Sequence, residues 1–370
     1  MVAAMTAMML SIGYLGNIAH AEPDSSPNDE QTAEQQLADY IGQGRPQAGA
    51  IAGTDSGSSS GLSGGFSSDT VGYGPQSSSA AAAFGYSLLH PDAAPPGTND
   101  WNCKPTAEHP RPVVLVHGTW MNAYDGFAYM SQPITDAGFC TFTFNYGRSD
   151  VGQGGGLGSL LPGAMGTGYI QDSAKQLATF VDRVLAATGA TQVDLIGHSQ
   201  GGAMSNWYTK FEGGATKVHN LITYGATNHG TSLDGIGTLG RAINNLGVDV
   251  LGFVELFVGH AGIQQTVGSA FVNQLNAGGD TVPGIDYTIV ATRYDEVTNP
   301  YASTFLTPGP GATVQNITLQ DGCEQDVSDH ITMMYSPRAL SIALNALDPA
   351  KFPDLQCTFN PWLIGGGGSL

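Results

Sequence analysis

Gly197-His198-Ser199-Gln200-Gly201 is the stretch that decides the fold, because the residues on either side give it a structural context. An apolar segment of strand length, 193–196, comes before it, and small then bulky residues typical of a helix follow at 202–208. A strand, a tight turn with serine at its apex and a helix form a nucleophile elbow, in which the glycines allow the two elements to pack closely. The pattern therefore predicts that Ser199 is a catalytic nucleophile above a helix N-terminus, which stabilises negative charge.

Apolar segments of strand length alternate with helical patterns along the chain. Val113-Val114-Leu115-Val116 is a continuous aliphatic run, typical of a strand buried on both faces. Residues 173–188 carry apolar side chains at helical spacing and end at Gly189. Further strands are predicted at 141–146, 221–224, 287–290 and 314–319, and a closing helix at 338–347. This alternation predicts an α/β fold with a mostly parallel central sheet and helices on both faces, and functional residues at the carboxyl ends of its strands.

A serine hydroxyl needs a base within hydrogen-bonding distance and a third group that orients the base. After an elbow of this kind, the expected chain order is serine, acid, histidine. His219 stands at the amino end of a strand, His260 lies in an apolar helical stretch, and His229 comes before any suitable acid. His330 follows the last predicted strand in a polar loop. We therefore predict that His330 is the base.

The acid is expected at the carboxyl end of the preceding strand, where Asp295 follows 287–291. A short carboxylate directly after a strand is held more rigidly than a glutamate, which favours Asp295. Glu296 by adjacency, and Asp329 by its nearness to the histidine, remain alternatives.

Two backbone donors are expected to form an oxyanion hole. The N–H of Gln200, directly after the nucleophile, is the first. The second is the N–H of Thr119, in the loop His117-Gly118-Thr119-Trp120 that follows the first buried strand. We expect His117 to brace this loop.

The two ends of the chain differ from the part between them. Residues 1–21 are apolar and end in an Ala-x-Ala site, which predicts a secretory signal peptide and a secreted protein. Residues 22–100 are rich in Gly, Ser and Ala, a composition that predicts a disordered pro-segment or linker. The catalytic domain is predicted at 101–361 and a Gly-rich tail at 362–370.

The charge balance excludes several classes of partner. The chain has 12 Lys plus Arg against 31 Asp plus Glu, a formal net charge of −19 at pH 7. Such a surface repels nucleic acids and anionic headgroups. No charge-free run outside the signal is long enough for a membrane span, so we expect no stable membrane anchor.

Four cysteines fit an exported protein. They allow three connectivities, of which we favour the local pairing because each bridge would then tie neighbouring elements. The expected pairs are Cys103 with Cys140 and Cys323 with Cys357. The alternative use is metal binding, but the sequence has no Cys-x-x-Cys or His-Cys cluster, so we expect no metal and no cofactor.

Several motifs together resemble the secreted triacylglycerol lipases of actinobacteria. They are Arg111–Trp120, Gly197–Gly201, Asn228–Thr231 and Thr292–Asp295. The resemblance spans about 101–361 and includes the four cysteine positions. It implies an α/β-hydrolase fold, the hydrolysis of carboxylic esters such as acylglycerols, and a triad at the positions of Ser199, Asp295 and His330. An acyltransferase using the same triad and a non-catalytic binding protein on this scaffold remain alternatives.

A strongly apolar stretch, 233–271, lies between two predicted strands and has few charges. A lid over the active site or the wall of an acyl-chain cleft would suit a water-insoluble substrate. Ordinary core packing explains the same pattern, and the two interpretations are left open.

Overall fold

A computed structural model describes residues 70–232, 259–362 and 364–368. The predicted signal peptide, the first part of the Gly/Ser/Ala-rich segment and most of the apolar stretch at 233–271 lie outside the described residues.

Six strands form one sheet, and each pair of neighbours is parallel. The strands are β1 (Val113–Val116), β2 (Thr141–Thr143), β3 (Val193–His198), β4 (Val218–Tyr224), β5 (Asp286–Ala291) and β6 (Thr313–Thr318). Their order across the sheet is β2-β1-β3-β4-β5-β6. Because all of these strands run in the same direction, their carboxyl ends share one edge, and the loops at that edge can meet.

Helices cover both faces of the sheet. They are α1 (Ala80–Leu89), α2 (Ala123–Phe127), α3 (Ser131–Asp136), α4 (Ile170–Thr188), α5 (Gln200–Phe211), α6 (Ala270–Asn276) and α7 (Pro337–Leu347). Short 3₁₀ turns occupy Val151–Gln153, Leu157–Leu160, Gly214–Thr216, Tyr301–Thr304, Thr332–Tyr335 and Gly366–Gly368. Among the described helices, none is both long and apolar enough to cross a bilayer.

The side chains of β1 show why the strand is aliphatic throughout. Val114 and Val116 belong to one apolar cluster, with α4 and α5, whereas Val113 and Leu115 belong to the cluster on the opposite face, with α1, α2, α3 and α7. All four side chains are fully buried. Burial of such a side chain stabilises the fold by about 1.5–3 kcal/mol. The predicted fold class, a parallel sheet with helices on both faces, is confirmed.

The prediction of a disordered segment over 22–100 does not hold for its described part, which starts at Thr70. This part contains α1, which is capped by Ser79: the Ser79 side chain accepts a hydrogen bond from the Ala82 N–H. The hydroxyl of Ser87 donates to the Asp125 carboxylate at 2.8 Å. Alanine has the highest helix propensity, and its small side chain lets α1 pack closely on α2. The folded domain therefore begins well before residue 101.

The described part of the predicted Gly-rich tail also packs on the domain. The Ala80 N–H donates to the Ile364 carbonyl at 3.0 Å, and the Gly367 N–H donates to Asn360 Oδ1 at 2.8 Å. A Cβ on Gly366 would lie 2.0 Å from the Ser78 carbonyl oxygen, so glycine permits this close contact. The tail thus completes the surface on which the N-terminal segment lies.

Both predicted disulfides are present. Cys103 is bonded to Cys140, which ties the loop before β1 to the start of β2. Cys323 is bonded to Cys357, which ties the loop after β6 to the chain that follows α7. The local pairing is therefore confirmed, and it leaves no free cysteine among the residues described.

Candidate active site

Ser199 stands at the turn between β3 and α5. Its backbone has φ 53° and ψ −125°, a strained conformation for a residue with a side chain. The Ser199 N–H donates to the carbonyl of Tyr224, the last residue of β4, at 2.8 Å. This bond fixes the turn to the neighbouring strand and holds the serine at the carboxyl edge of the sheet.

The two glycines of the pentapeptide are required by close contacts. A Cβ on Gly197 would lie 2.7 Å from the Gly202 Cα, and a Cβ on Gly201 would lie 2.3 Å from the carbonyl oxygens of Val116 and His117. Real Cβ atoms essentially never come so close to backbone atoms. The spacing of these glycines therefore reflects the packing of α5 against β1 and β3.

His330 and Asp295 form a buried hydrogen-bonded pair. The His330 Nδ1 lies 2.9 and 3.0 Å from the two carboxylate oxygens of Asp295. Their side chains are 3% and 1% exposed. The same carboxylate accepts the backbone N–H groups of Val297 at 2.9 Å and Thr298 at 2.6 Å, which fixes its orientation. Asp295 thus holds the imidazole so that its Nε2 is the nitrogen left for proton transfer.

The two alternative acids have other partners. Glu296 Oε2 accepts the backbone N–H of His330 at 3.2 Å, and burial raises the pKa of this carboxyl. Asp329 Oδ1 accepts the N–H groups of Ile331 and Thr332 at 3.0 and 2.7 Å, which makes it the cap of a turn. Asp295 is thus the carboxylate that is hydrogen bonded to the His330 ring.

Opposing effects act on the pKa of His330. Burial lowers it, but the Asp295 carboxylate, with smaller contributions from Glu296 and Asp329, raises it by more. The net result is a pKa above the ordinary value for histidine. The surrounding carboxylates therefore stabilise the protonated form of the His330 ring.

His198, the residue before the serine, joins the elbow to the base. Its Nε2 donates to the His330 carbonyl at 2.9 Å, and the two ring centroids are 4.8 Å apart. Burial, followed by the charge of His330, lowers the pKa of His198 well below the ordinary value, so this ring is neutral. Sequence reasoning missed this contact; the only signal was a polar side chain between Gly197 and Ser199.

Gly225 lies against the predicted acid and base, next to the strand residue that contacts Ser199. It directly follows Tyr224, which accepts the Ser199 N–H. A Cβ on Gly225 would lie 3.0 Å from Asp295 Oδ2 and 3.1 Å from His330 Nδ1. The structure thus brings the ends of β3, β4 and β5 and the loop after β6 together around this position.

The two predicted oxyanion donors lie beside the serine. Gln200 is the first residue of α5, where a backbone N–H has no acceptor within its own helix. A Cβ on Gly118, the neighbour of Thr119, would lie 3.1 Å from the Ser199 Cβ. The side chains of Gln200 and Thr119 are also hydrogen bonded, at 3.1 Å. The loop after β1 and the first turn of α5 therefore face the same side of Ser199.

His117 braces the loop that carries Thr119. Its Nδ1 lies 2.8 Å from the Gly118 carbonyl, and its ring stacks on Tyr146 with centroids 4.1 Å apart. Burial, partly offset by the bond to Gly118, lowers the pKa of His117 to about 4. The side chain is a neutral support for the loop.

Two other histidines that follow Ser199 in the chain contact different residues. His229 Nε2 lies 3.2 Å from Asp280 Oδ1, and the His260 ring stacks on Tyr169 with centroids 4.2 Å apart. The partners of these two histidines are therefore Asp280 and Tyr169.

One group of side chains has the composition of a cation site. Ligand atoms of Glu108, His109 and Asp348 lie within 4.8 Å of one another. Lys351 Nζ is 3.2 Å from Glu108, and His109 Nε2 is 3.1 Å from Asp348. The amine and the imidazole already supply these carboxylates with partners, so the group is an ion-pair cluster.

Comparisons with known proteins agree with this architecture. A sequence model of the alpha/beta hydrolase fold matches residues 111–245. Triacylglycerol lipases of Pseudarthrobacter phenanthrenivorans and Burkholderia plantarii are each 31% identical to the chain over 171 residues, 44% of its length. The chain spans only 42% and 38% of those two relatives.

A solved structure supports the same fold. Lipase B of Aspergillus fumigatus aligns with a TM-score of 0.51 at 19% identity, covering 69% of this chain and 55% of that protein. The parallel sheet, the strained elbow and these matches show that the chain has the α/β-hydrolase fold.

Proposed function

We propose that this protein is a serine hydrolase that cleaves carboxylic esters through an acyl-enzyme on Ser199. The observation that carries the proposal is the buried His330–Asp295 pair at 2.9 Å, beside a serine in a strained elbow. Similarity to two triacylglycerol lipases supports esters as the substrate class.

In the first half of the reaction, the Ser199 hydroxyl oxygen bonds to the ester carbonyl carbon. Its proton passes to His330 Nε2, while Nδ1 keeps its bond to Asp295. The N–H groups of Thr119 and Gln200 stabilise the oxyanion of the tetrahedral intermediate. When the intermediate collapses, the ester C–O bond breaks and the His330 proton goes to the departing alcohol.

In the second half, water takes the place of the alcohol. His330 removes a proton from the water, whose oxygen bonds to the acyl carbon. The bond from that carbon to Ser199 then breaks, and the proton returns to the serine oxygen. The carboxylic acid leaves, and the enzyme regains its starting state.

Acylglycerols are the substrates we propose within this class. One large apolar side chain next to a site residue is exposed: Tyr294, which precedes Asp295, is 46% exposed. Exposed apolar groups beside a site suit a substrate with hydrocarbon chains. An extracellular location, which we also propose, is supported by two disulfides, since such bonds persist in oxidising compartments.

The test measures initial rates on p-nitrophenyl esters from acetate to palmitate. Ser199→Ala and His330→Ala are expected to lose nearly all turnover, and Asp295→Asn to lose about 10⁴-fold. Ser205→Ala, which removes a buried serine hydroxyl elsewhere in α5, is the matched control and is expected to keep its activity.

Four outcomes separate the alternatives. Turnover that rises toward long chains and requires Ser199 supports a lipase, whereas activity confined to short chains supports an esterase. If added alcohols capture the acyl group faster than water does, the protein is an acyltransferase. If no ester is turned over in a Ser199-dependent way, the hydrolase proposal is wrong and a binding protein on this scaffold is favoured.

A further inference from the structure

Asn360 is a fully buried residue that follows α7 in the chain, and its amide contacts the loop that carries His330. Its Nδ2 is 2.8 Å from Ser328 Oγ and 3.1 Å from the Thr332 carbonyl oxygen. These two partners stand two positions before and two positions after His330. One side-chain group therefore holds the loop on both sides of the base.

The orientation of this amide follows from a third contact. The Gly367 N–H donates to Asn360 Oδ1 at 2.8 Å. A backbone N–H only donates and a carbonyl only accepts, so the amide oxygen faces Gly367 and the NH₂ group faces Thr332. The backbone carbonyl of Asn360 also accepts the Val327 N–H at 3.1 Å. Main chain and side chain of Asn360 thus hold the same loop.

Ser328 connects this amide to the turn that carries the acid. Its hydroxyl accepts the Asn360 amide and donates to the Asp326 carboxylate. Its carbonyl accepts the Thr292 hydroxyl at 2.6 Å. The Thr292 carbonyl in turn accepts the Asp295 N–H at 3.2 Å. A short series of hydrogen bonds therefore joins Asn360 to both members of the acid–base pair.

We propose that Asn360 is a positioning residue that sets the place of the His330 ring relative to Asp295. The contacts of its amide are with Ser328 and Thr332, so it acts through the loop and not on the reacting atoms. The Gly-rich tail then contributes to catalysis, because Gly367 orients the amide. The inference rests on the proposed ester hydrolysis.

The decisive variant is Asn360→Leu. Leucine has the same branched shape but no hydrogen-bonding atoms, so the loop loses both side-chain bonds while the space stays filled. A displacement of 1 Å in a catalytic group can cost about 10²-fold in rate. We expect kcat to fall by about 10- to 100-fold. KM is expected to change little, because the substitution moves the base and not the groups that bind the ester.

A second variant covers the case in which leucine prevents folding. Asn360→Asp keeps an acceptor for the Gly367 N–H, but it places a carboxylate oxygen against the Thr332 carbonyl, which only accepts. The loop then has a repulsive contact where it had a hydrogen bond. We expect the same direction of change in kcat, measured on the p-nitrophenyl ester that the wild type cleaves fastest.

The pKa of His330 gives a readout that does not depend on turnover. Burial lowers this pKa, and Asp295, followed by Glu296 and Asp329, raises it by more. His198 faces the ring from β3 and is neutral. If the loop no longer holds the ring against Asp295, the pKa of His330 falls. It is measured by an NMR titration of the histidine ring protons, with His330→Ala used to assign the signal.

Asn345→Leu is the matched control. Asn345 lies in α7, and its Nδ2 donates to the Phe352 carbonyl at 2.8 Å. The substitution removes the same kind of amide bond from the same part of the chain, but its partner is outside the loop that carries His330. We expect wild-type kcat and an unchanged pKa of His330, whatever the change in the midpoint of thermal unfolding.

The outcomes separate this inference from the proposed function. Unchanged kcat and an unchanged pKa of His330 in the folded Asn360 variants overturn the inference alone, because the role of Asn360 is then only structural. A lower kcat with an unchanged pKa also overturns it, since the acid–base pair is then intact. Absence of Ser199-dependent turnover in the wild type overturns the proposed function, and the NMR titration still reports whether Asn360 positions the ring.

Discussion

Gly225→Ala tests the geometry of the acid–base pair without changing either member. Gly225 has φ +54°, and an added methyl carbon would lie 3.0 Å from Asp295 Oδ2, 3.1 Å from His330 Nδ1 and 3.2 Å from His330 Cε1. These contacts are tighter than most real ones, so the ring or the carboxylate must move by a few tenths of an ångström. The substitution thus places a methyl group against His330 Nδ1 and Asp295 Oδ2, which are now 3.0 Å apart.

The expected loss of activity lies between two limits. A displacement of 1 Å in a catalytic group can cost about 10²-fold in rate. Loss of the acid's function costs about 10⁴-fold. Since the required movement is well below 1 Å, we expect kcat/KM to fall by about 10- to 100-fold. The backbone cost of alanine at positive φ is separate, about 1–2 kcal/mol of the free energy of unfolding.

The assay is kcat/KM as a function of pH. Only the neutral imidazole can take the serine proton, so kcat/KM falls as the pH drops through the pKa of His330. The pair with Asp295 raises that pKa against the lowering effect of burial. An added methyl group that weakens the pair lowers the pKa of His330. The acid limb of the profile is therefore expected to move to lower pH.

Gly189→Ala is the control for backbone strain. Gly189 also has a positive φ, +78°, but a Cβ there would meet nothing within 4 Å. It follows the last residue of α4 and precedes the amino end of β3, whereas Ser199 follows the carboxyl end of that strand, so its alanine variant is expected to lose stability and keep activity. Equal kcat/KM and the same acid limb in the two variants would refute the reasoning from contact distances.

Two further predictions concern stability. Burial raises the pKa of Asp125 to about 7 in the folded protein, whereas the pKa in the unfolded chain is about 4. Ionisation of this carboxyl therefore lowers the free energy of unfolding as the pH rises from about 4 to about 7. Asp125→Asn cannot ionise, and its free energy of unfolding relative to wild type is expected to be higher at pH 8 than at pH 5; an equal difference in thermal unfolding at both would contradict this. Replacement of Cys323 and Cys357 by alanine opens a loop with a sequence separation of 34 and is expected to cost about 4 kcal/mol in urea unfolding. An unchanged midpoint would show that this disulfide does not restrict the unfolded chain.

The sheet could be predicted from the sequence because its signals are local. The aliphatic run at 113–116 matches β1 in full, and the predicted strand at 287–290 differs from β5 by one residue at each end. The predicted strand at 141–146 is longer than β2, which ends at Thr143. The reason is topological: β2 lies at the edge of the described sheet, and the strand beside it, β1, ends at Val116, where the loop that carries Thr119 begins.

The segment before residue 101 could not be predicted from composition. An alanine-rich stretch among serines and glycines has too little apolar surface to fold alone. Its order depends on partners distant in the chain, such as the Asp125 carboxylate that accepts the Ser87 hydroxyl and the Pro75 carbonyl that accepts the Tyr124 hydroxyl at 2.7 Å. Such contacts become visible only in three dimensions.

For the site, the sequence could indicate which residues lie together but not what holds them in place. Rules of order and strand ends suffice to place Ser199, Asp295 and His330 at one edge of the sheet. The residues that hold these side chains in place could not be predicted in this way, because each contact depends on a particular distance in the folded protein. Asn360 is one of several asparagines in the chain, and its contacts with the loop that carries His330 have no pattern in sequence.

The supports also explain how a buried base can stay in one position. His330 is held at three points: the ring by Asp295, the backbone N–H by Glu296 and the backbone carbonyl by His198. The three come from two strand ends, those of β5 and β3, so displacement of the base would break bonds to both. The carboxylate bonds also offset the cost of charging a buried ring, since two of these groups raise its pKa. Rigidity of the base and its readiness to accept a proton therefore have the same origin.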